Sequence, residues 1–244
     1  MINRYLILLV LLMFSRGLLA QPSVPVWGGG ADQKDFSAGF SFGYVSSYYK
    51  IDKKPGWREP YFDASGTKVT DALTNISSEN APGFAVGFLG RYSLNDHVEV
   101  RVTPALIFAD RAVTYQYVTK EQDQIKAIRA TLVDLPLQLK IKSDRLGNYR
   151  AYLLGGLKYS KALGNKENSD ANAAPSEKLL KTINGYGSYE VGVGFDIYFE
   201  FFKLSPEIKI SNSFGNLLLR ENNAFAAPIN SLSLHTIMFS LHFE

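Results

Sequence analysis

The chain has 244 residues, 46% of them hydrophobic, 20% charged and none cysteine. Its formal charge of +3 falls to +1 once Arg4 and Arg16 of the leader are discounted, so no basic excess points to nucleic acid. Without cysteine, disulfides, thiolate metal sites and cysteine catalysis are excluded.

At the amino end, Arg4 precedes a short apolar run from Tyr5 to Phe14, and Leu18-Leu19-Ala20 offers a cleavage site before Gln21. This pattern predicts a secretory signal peptide over residues 1–20. The apolar run is broken by Arg16 and is shorter than the roughly 20 residues of a spanning helix. Residues 21–34, with the Gly28–Gly30 run, read as a periplasmic linker, and residues 35–244 as one β domain. No later segment suits a membrane helix, so a membrane-embedded mature chain would have to span as a closed sheet.

Eight strands follow, each with a period of two. The first sets Phe36, Phe40, Phe42 and Tyr44 against Ser37, Gly39, Ser41 and Gly43. Residues 51–82 then form a long loop carrying Trp57, Tyr61 and Phe62, aromatics that suit contact with a protein partner. The second strand opposes Phe84, Val86, Phe88 and Tyr92 to Ala85, Gly87, Leu89 and Arg91. After a tight turn at 93–96, the third sets Val98, Val100, Val102, Leu106 and Phe108 against Glu99, Arg101 and Thr103. Alternation continues through 113–117, which predicts an outward-projecting hairpin with the fourth strand. That strand opposes Val133, Leu135, Leu137, Leu139 and Ile141 to Asp134, Gln138, Lys140 and Lys142.

A short turn at 143–148 leads to the fifth strand, with Tyr149, Ala151, Leu153, Leu157 and Tyr159 on one face. Arg150, Tyr152, Lys158 and Ser160 occupy the other. A long loop at 162–184, rich in Asn, Ala, Ser and Lys, precedes the sixth strand. There Tyr189, Val191, Val193, Phe195 and Ile197 oppose Tyr186, Ser188, Glu190, Gly192, Gly194 and Asp196. The seventh, after a turn near 200–201, opposes Phe202, Leu204, Pro206, Ile208 and Ile210 to Lys203, Ser205, Glu207, Lys209 and Ser211. A loop at 213–231 leads to the eighth, around 232–243, with Ile237, Phe239, Leu241 and Phe243 outward.

Short connections therefore alternate with long ones, as in barrels with tight periplasmic turns and larger extracellular loops. The second face mixes glycine and serine with charges of both signs, as a narrow lumen requires. A soluble sandwich also alternates and stays open as a second fold. The expected fold is all-β: an eight-stranded antiparallel transmembrane barrel with an aromatic girdle of Tyr44, Tyr92, Tyr149, Tyr159 and Tyr189. Pro104, Pro136 and Pro206 each remove a ladder hydrogen bond and predict bulges or local breaks.

Eight strands enclose only enough room for side chains. The expected lumen network comprises Arg91, Glu99, Arg101, Asp134, Lys140, Lys142, Arg150, Lys158, Glu190, Asp196, Lys203, Glu207 and Lys209. Charges so confined must pair, and Glu190 is placed to meet Lys158 or Lys209. The three histidines are dispersed: His97 in a turn, His235 outward at the upper edge, His242 inward near the periplasmic end. Neither a catalytic dyad, a metal site nor a cofactor site is expected. Gly192-Val193-Gly194 lies within a strand and is no phosphate loop.

The run Val133-Asp134-Leu135-Pro136-Leu137-Gln138-Leu139-Lys140, then Tyr152-Leu153-Leu154-Gly155-Gly156, resembles the PorT family of Bacteroidota outer-membrane barrels. Gly192-Val193-Gly194-Phe195-Asp196, Phe202-Lys203-Leu204-Ser205-Pro206-Glu207-Ile208-Lys209 and the ending Phe239-Ser240-Leu241-His242-Phe243-Glu244 are similar. The resemblance implies a non-enzymatic accessory or assembly component of type IX secretion, in the outer membrane, with membrane lipid and other secretion proteins as partners. It carries over no functional residue. The alternative is a small binding or transport barrel for a small ligand. Glu244 departs from the terminal aromatic that insertion machinery commonly reads, Phe243 being penultimate.

Overall fold

The computed structural model describes residues 34–63, 65–163 and 178–244. The expected signal peptide, the linker but for Lys34 and most of the 162–184 loop lie outside the described residues. In chain order the strands are β1 (Phe36–Lys53), β2 (Tyr61–Phe62), β3 (Lys68–Thr70), β4 (Leu73–Ser77), β5 (Ala81–Ser93), β6 (Val98–Val102) and β7 (Ala105–Tyr117). A 3-10 turn at Lys120–Gln122 precedes β8 (Gln124–Lys142), β9 (Tyr149–Leu163), β10 (Gly185–Tyr198), β11 (Lys203–Ser213) and β12 (Ile229–Phe243).

All pairings are antiparallel, and the ring closes because β1 bonds to both β5 and β12. β6 and β7 form one stave between β5 and β8, so the barrel has eight staves, counting β8 to β12, β1 and β5 singly. Closure leaves no open edge for lipid to satisfy, and it excludes two stacked sheets. Parity holds around the wall: Leu135, Leu137, Leu139 and Ile141 are exposed, while Asp134, Gln138, Lys140 and Lys142 are buried.

The prolines mark breaks without bulges. Val102 faces Gly90 and Leu137, and Ala105 faces Gly87 and Asp134, so one register runs straight through Thr103-Pro104. Phe88 N–H still donates to the Pro104 carbonyl at 2.9 Å; only the reciprocal bond, which needs an N–H on Pro104, is lost. Pro206 interrupts the ladder to β10 between Gly194↔Glu207 and Ile197↔Leu204, again without slip, and keeps its pairing with Leu241. Pro136 keeps its place opposite Lys158. A slip of one residue would turn the stave's charges into lipid, so the register is protected by the cost of the alternative.

A membrane-spanning strand needs about 9–11 residues. β1 has 18 and β8 has 19, so both run well beyond the bilayer. The β7–β8 hairpin extends to the Tyr115↔Gln124 pair, and β4 takes over from β5 as its neighbour, from Ser77↔Thr114 to Leu73↔Tyr117. The first long loop is therefore structured, folded back on the hairpin. Its closing contact is Asp71, which accepts from the Thr119 hydroxyl at 2.5 Å and from Lys68, while its N–H donates to Gln122 at 2.9 Å.

Those hydrogen bonds, Lys68 first and Thr119 second, hold the Asp71 carboxyl below its usual pKa. A depressed carboxyl contributes stability above its unfolded value of about 3.9, and loses it as pH falls through the folded one. Amide exchange at Val118, whose N–H donates to the Ala72 carbonyl at 3.0 Å, should accelerate beyond its intrinsic rate only below about pH 4. Protection there that stays flat to about pH 3 would show the clamp to be inert.

Candidate functional site

Two regions hold the residues singled out above: the lumen and the extracellular crown. In the lumen, inward parity delivers side chains from every stave to one axis. At the periplasmic end, Arg91 and Lys203 both engage the side chain of Glu244, Lys203 at 2.9 Å. The terminal glutamate is thus part of the ionic filling, a role its position alone did not suggest. Glu99 lies among Lys140 (3.1 Å), Lys142 (3.0 Å) and Arg91 (3.7 Å). These contacts are ionic, off hydrogen-bond geometry at the carboxylate. Lys140 also donates to both oxygens of Asp196 at 2.9 Å, and Ser205 Oγ donates to Asp196 at 2.6 Å.

One layer higher, Arg101 reaches Glu207 across the barrel at 2.5 Å and donates from Nε to Gln138 at 2.7 Å. Tyr152 donates to the same Glu207 oxygen at 2.9 Å. Lys209 (3.4 Å) and His242 (3.5 Å) approach its other oxygen. Gly194 makes room for this: a Cβ there would come within 2.4 Å of the Tyr152 ring carbon and hydroxyl. Above these, Lys158 pairs with Asp134 at 2.9 Å, and Arg111 donates to Ser47 at 3.0 Å.

Two expectations need correcting. Glu190 receives the Gln138 amide rather than the Lys158 ammonium, which Asp134 takes. Arg150 sits at the periplasmic rim, where it donates to the carbonyls of Ser143 (2.6 Å) and Asp96 (2.5 Å) and ties two turns together. His97 and Asp144 link the same turns at 2.9 Å. The uncharged members Gln138, Tyr152 and Ser205 escaped a reading that counted only charges. Gln138 in particular bridges Arg101 to Glu190.

Little space remains. A cavity of about 20 Å³ lies among Thr103, Asp134, Lys158, Glu190, Lys209 and His242. That is room for one water molecule.

The crown closes the other end. Tyr49, Leu73, Ile76, Val113, Tyr115, Leu217, Phe225, Ile229 and Leu232 form a buried apolar core above the charges. Much of it comes from residues 214–228, a loop expected to be an ordinary connection. Asn216 Oδ1 accepts from Leu218 N–H and Leu232 N–H, each at 2.9 Å. Asn223 Oδ1 accepts from Phe225 N–H (3.0 Å) and Ala226 N–H (2.8 Å). Tyr115 then donates to the Phe225 carbonyl at 2.8 Å. The signal was in the composition: Leu217-Leu218 and Ala224-Phe225-Ala226-Ala227 are too apolar for a solvated loop.

The loop aromatics divide. Trp57 is flanked by its own cations, with Lys53 Nζ at 4.2 Å and the Arg58 guanidinium at 4.9 Å from the ring centroid. Tyr61 donates to Asn222 at 3.1 Å and packs on the crown core. Partial burial, then the Asp63 carboxylate, raise its pKa, so it remains a donor. Phe62 is exposed. Beside Trp57 and Tyr61 lies a pocket of about 170 Å³, bordered also by Lys54, Glu59, Leu73 and Ala224. Among the described residues, no group of three or more His, Asp or Glu could hold a metal ion.

A family model described as an outer membrane protein beta-barrel domain matches residues 20–219. No curated protein matches the chain. Solved structures similar to it include the outer membrane protein OprG of Pseudomonas aeruginosa, at 15% identity, covering 89% of this chain and 96% of that one, with a TM-score of 0.45. The attachment invasion locus protein Ail of Yersinia pestis is 14% identical, covering 86% and 98%, with a TM-score of 0.36. Neisserial surface protein A is 11% identical over 86% and 98%, with a TM-score of 0.40.

Proposed function

The chain belongs to the outer membrane protein β-barrel family, and from its place in that membrane we propose a non-conducting, non-enzymatic barrel that binds a small ligand at its extracellular crown. The observation that carries this is the division of space. The lumen is filled by paired charges around a cavity of about 20 Å³, whereas the crown holds an open pocket of about 170 Å³ between folded loops. A pathway would need mobile water along the axis; a binding site needs a rigid, partly apolar recess with a few polar groups. Lys54, Glu59 and Thr70 supply the polar groups, and Trp57, Tyr61 and Leu73 the apolar wall.

In planar bilayers the purified protein should give no sustained porin-sized current steps. With Trp27 replaced by phenylalanine, Trp57 is the only tryptophan left, and its emission reports the pocket. Small amphipathic ligands should shift that emission saturably. Porin-sized conductance, or no saturable shift across a broad ligand panel, would overturn the proposal.

An accessory role in type IX secretion is the second reading, and the PorT-like residue runs support it. A sealed barrel would serve it equally well, with crown or turns as docking surfaces. A clean deletion distinguishes the two. Loss of many unrelated secreted cargoes favours the accessory role, and a single uptake or binding defect favours the crown site.

A further inference from the structure

A polar belt on the outer wall, separate from lumen and crown pocket, has no part in either reading. Strand register sets Tyr48, His235, Asn212 and Tyr189 side by side on β1, β12, β11 and β10. All four point outward, since Ser47, Leu234, Thr236, Ser211 and Ser188 beside them are buried. The row beneath is Ser46, Ile237, Ile210 and Val191, whose three aliphatic members are exposed in the lipid-facing band. The belt therefore marks the step from acyl chains to headgroups on the extracellular side.

Its groups converge. His235 Nδ1 lies 2.7 Å from the Asn212 carbonyl oxygen, and Lys50 Nζ donates to the same oxygen at 3.2 Å, reaching across β12. The Tyr48 ring packs on the His235 ring with centroids 5.1 Å apart. Both contacts converge on the Asn212 oxygen, and the Asn212 side chain is half-buried on the outer wall. The remaining Lys50 N–H groups stay available, and the Lys50 side chain is exposed. An ammonium, an amide, an imidazole and a phenol thus gather within one headgroup's reach, directly above aliphatic side chains.

We propose that this belt is a binding site for a phosphate-bearing lipid of the outer leaflet. The phosphate would accept from Lys50 and Asn212, with His235 and Tyr48 fixing its position, while the acyl chains lie on Ile210, Ile237 and Val191. Charge-assisted hydrogen bonds to an ammonium favour an anionic acceptor, and the membrane edge supplies one at the correct height. Tyrosine beside the cluster suits the same level.

The test uses the full protein in phosphatidylcholine nanodiscs doped with lipid A or with its dephosphorylated form, counting retained lipid by native mass spectrometry. Retention of the phosphorylated form should exceed that of the neutral one by about tenfold, one charge-assisted contact's worth. The Lys50→Ala/His235→Ala variant should lose that preference. Lys161→Ala, an exposed outward lysine on β9, should keep it. Equal retention of both lipids, or equal loss in Lys161→Ala, would overturn the site. Perturbation of the His235 imidazole NMR signal by inorganic phosphate alone, as strong as that by lipid A, would overturn the lipid assignment. Planar-bilayer and Trp57 measurements do not touch this belt, so the two proposals fail separately.

Discussion

Replacing Arg101 with methionine should destabilise the folded barrel by about 3–5 kcal/mol, the cost of leaving a buried charge without its partner. Arg101 and Glu207 are each 1% exposed, and the guanidinium is at 2.5 Å from the carboxylate. Methionine fills similar volume but cannot neutralise Glu207, and it also strips Gln138 of its donor. Lys209 and His242 stand farther from Glu207, at 3.4 and 3.5 Å, and compensate poorly. Urea titration of the refolded protein in detergent measures the loss. The double variant Arg101→Met/Glu207→Leu should recover much of it, because the orphaned charge is removed too. If single and double variants unfold at the same urea concentration, the Arg101–Glu207 pair is not the source.

Phe225→Ala should cost the crown about 3–5 kcal/mol while leaving the barrel wall intact. Phe225 has no exposed surface, meets Tyr115 edge-on at 5.3 Å and carries Lys126 Nζ 3.9 Å from its ring centre. Truncation opens a cavity at the centre of the plug and removes the surface on which Tyr115 rests. Because Phe225 lies in the crown core and not among the lumen charges, the damage should remain local. Limited proteolysis would then cut within residues 214–228, while amide protection in β9 and β10 holds. Unchanged protease resistance would mean that the plug is held by its asparagine-centred turns alone.

The lateral position of nearly every barrel side chain was readable in advance. Alternation in the β10 segment, Tyr189, Val191, Val193 and Phe195 against Ser188, Glu190 and Asp196, needs no knowledge of neighbours. Lipid and lumen impose opposite chemistry on alternate residues, so the period survives any register. The three prolines were visible as missing donors, yet their accommodation was not. It depends on whether flanking pairs can hold the register, as Val102↔Gly90 and Ala105↔Gly87 do around Pro104.

Pairing inside the lumen was less legible. Arg101 and Glu207 are 106 residues apart and sit on strands that share no hydrogen bond. Which lysine meets which carboxylate depends on the stagger between strands and on the height of each Cα along the axis. Glu190 illustrates this, being met by Gln138 although lysines were expected. The crown was harder still, because loops 51–82 and 214–228 bury apolar residues against each other, the β7–β8 hairpin, Leu180 and the inward residues of β1 and β12. Trp57 and Tyr61 read as free aromatics, yet Trp57 is flanked by its neighbours Lys53 and Arg58, and loop packing gives Tyr61 a partner in Asn222.

The primary sequence by itself determined the class of structure: eight alternating strands, short turns opposite long loops, and a greasy wall around an ionic interior. Tertiary structure alone decided which charges neutralise one another, and that loops 51–82 and 214–228 fold together over the lumen. The reason is physical. A period of two is a local property of each strand, whereas contacts across a closed ring arise only when strand stagger and loop packing are set together.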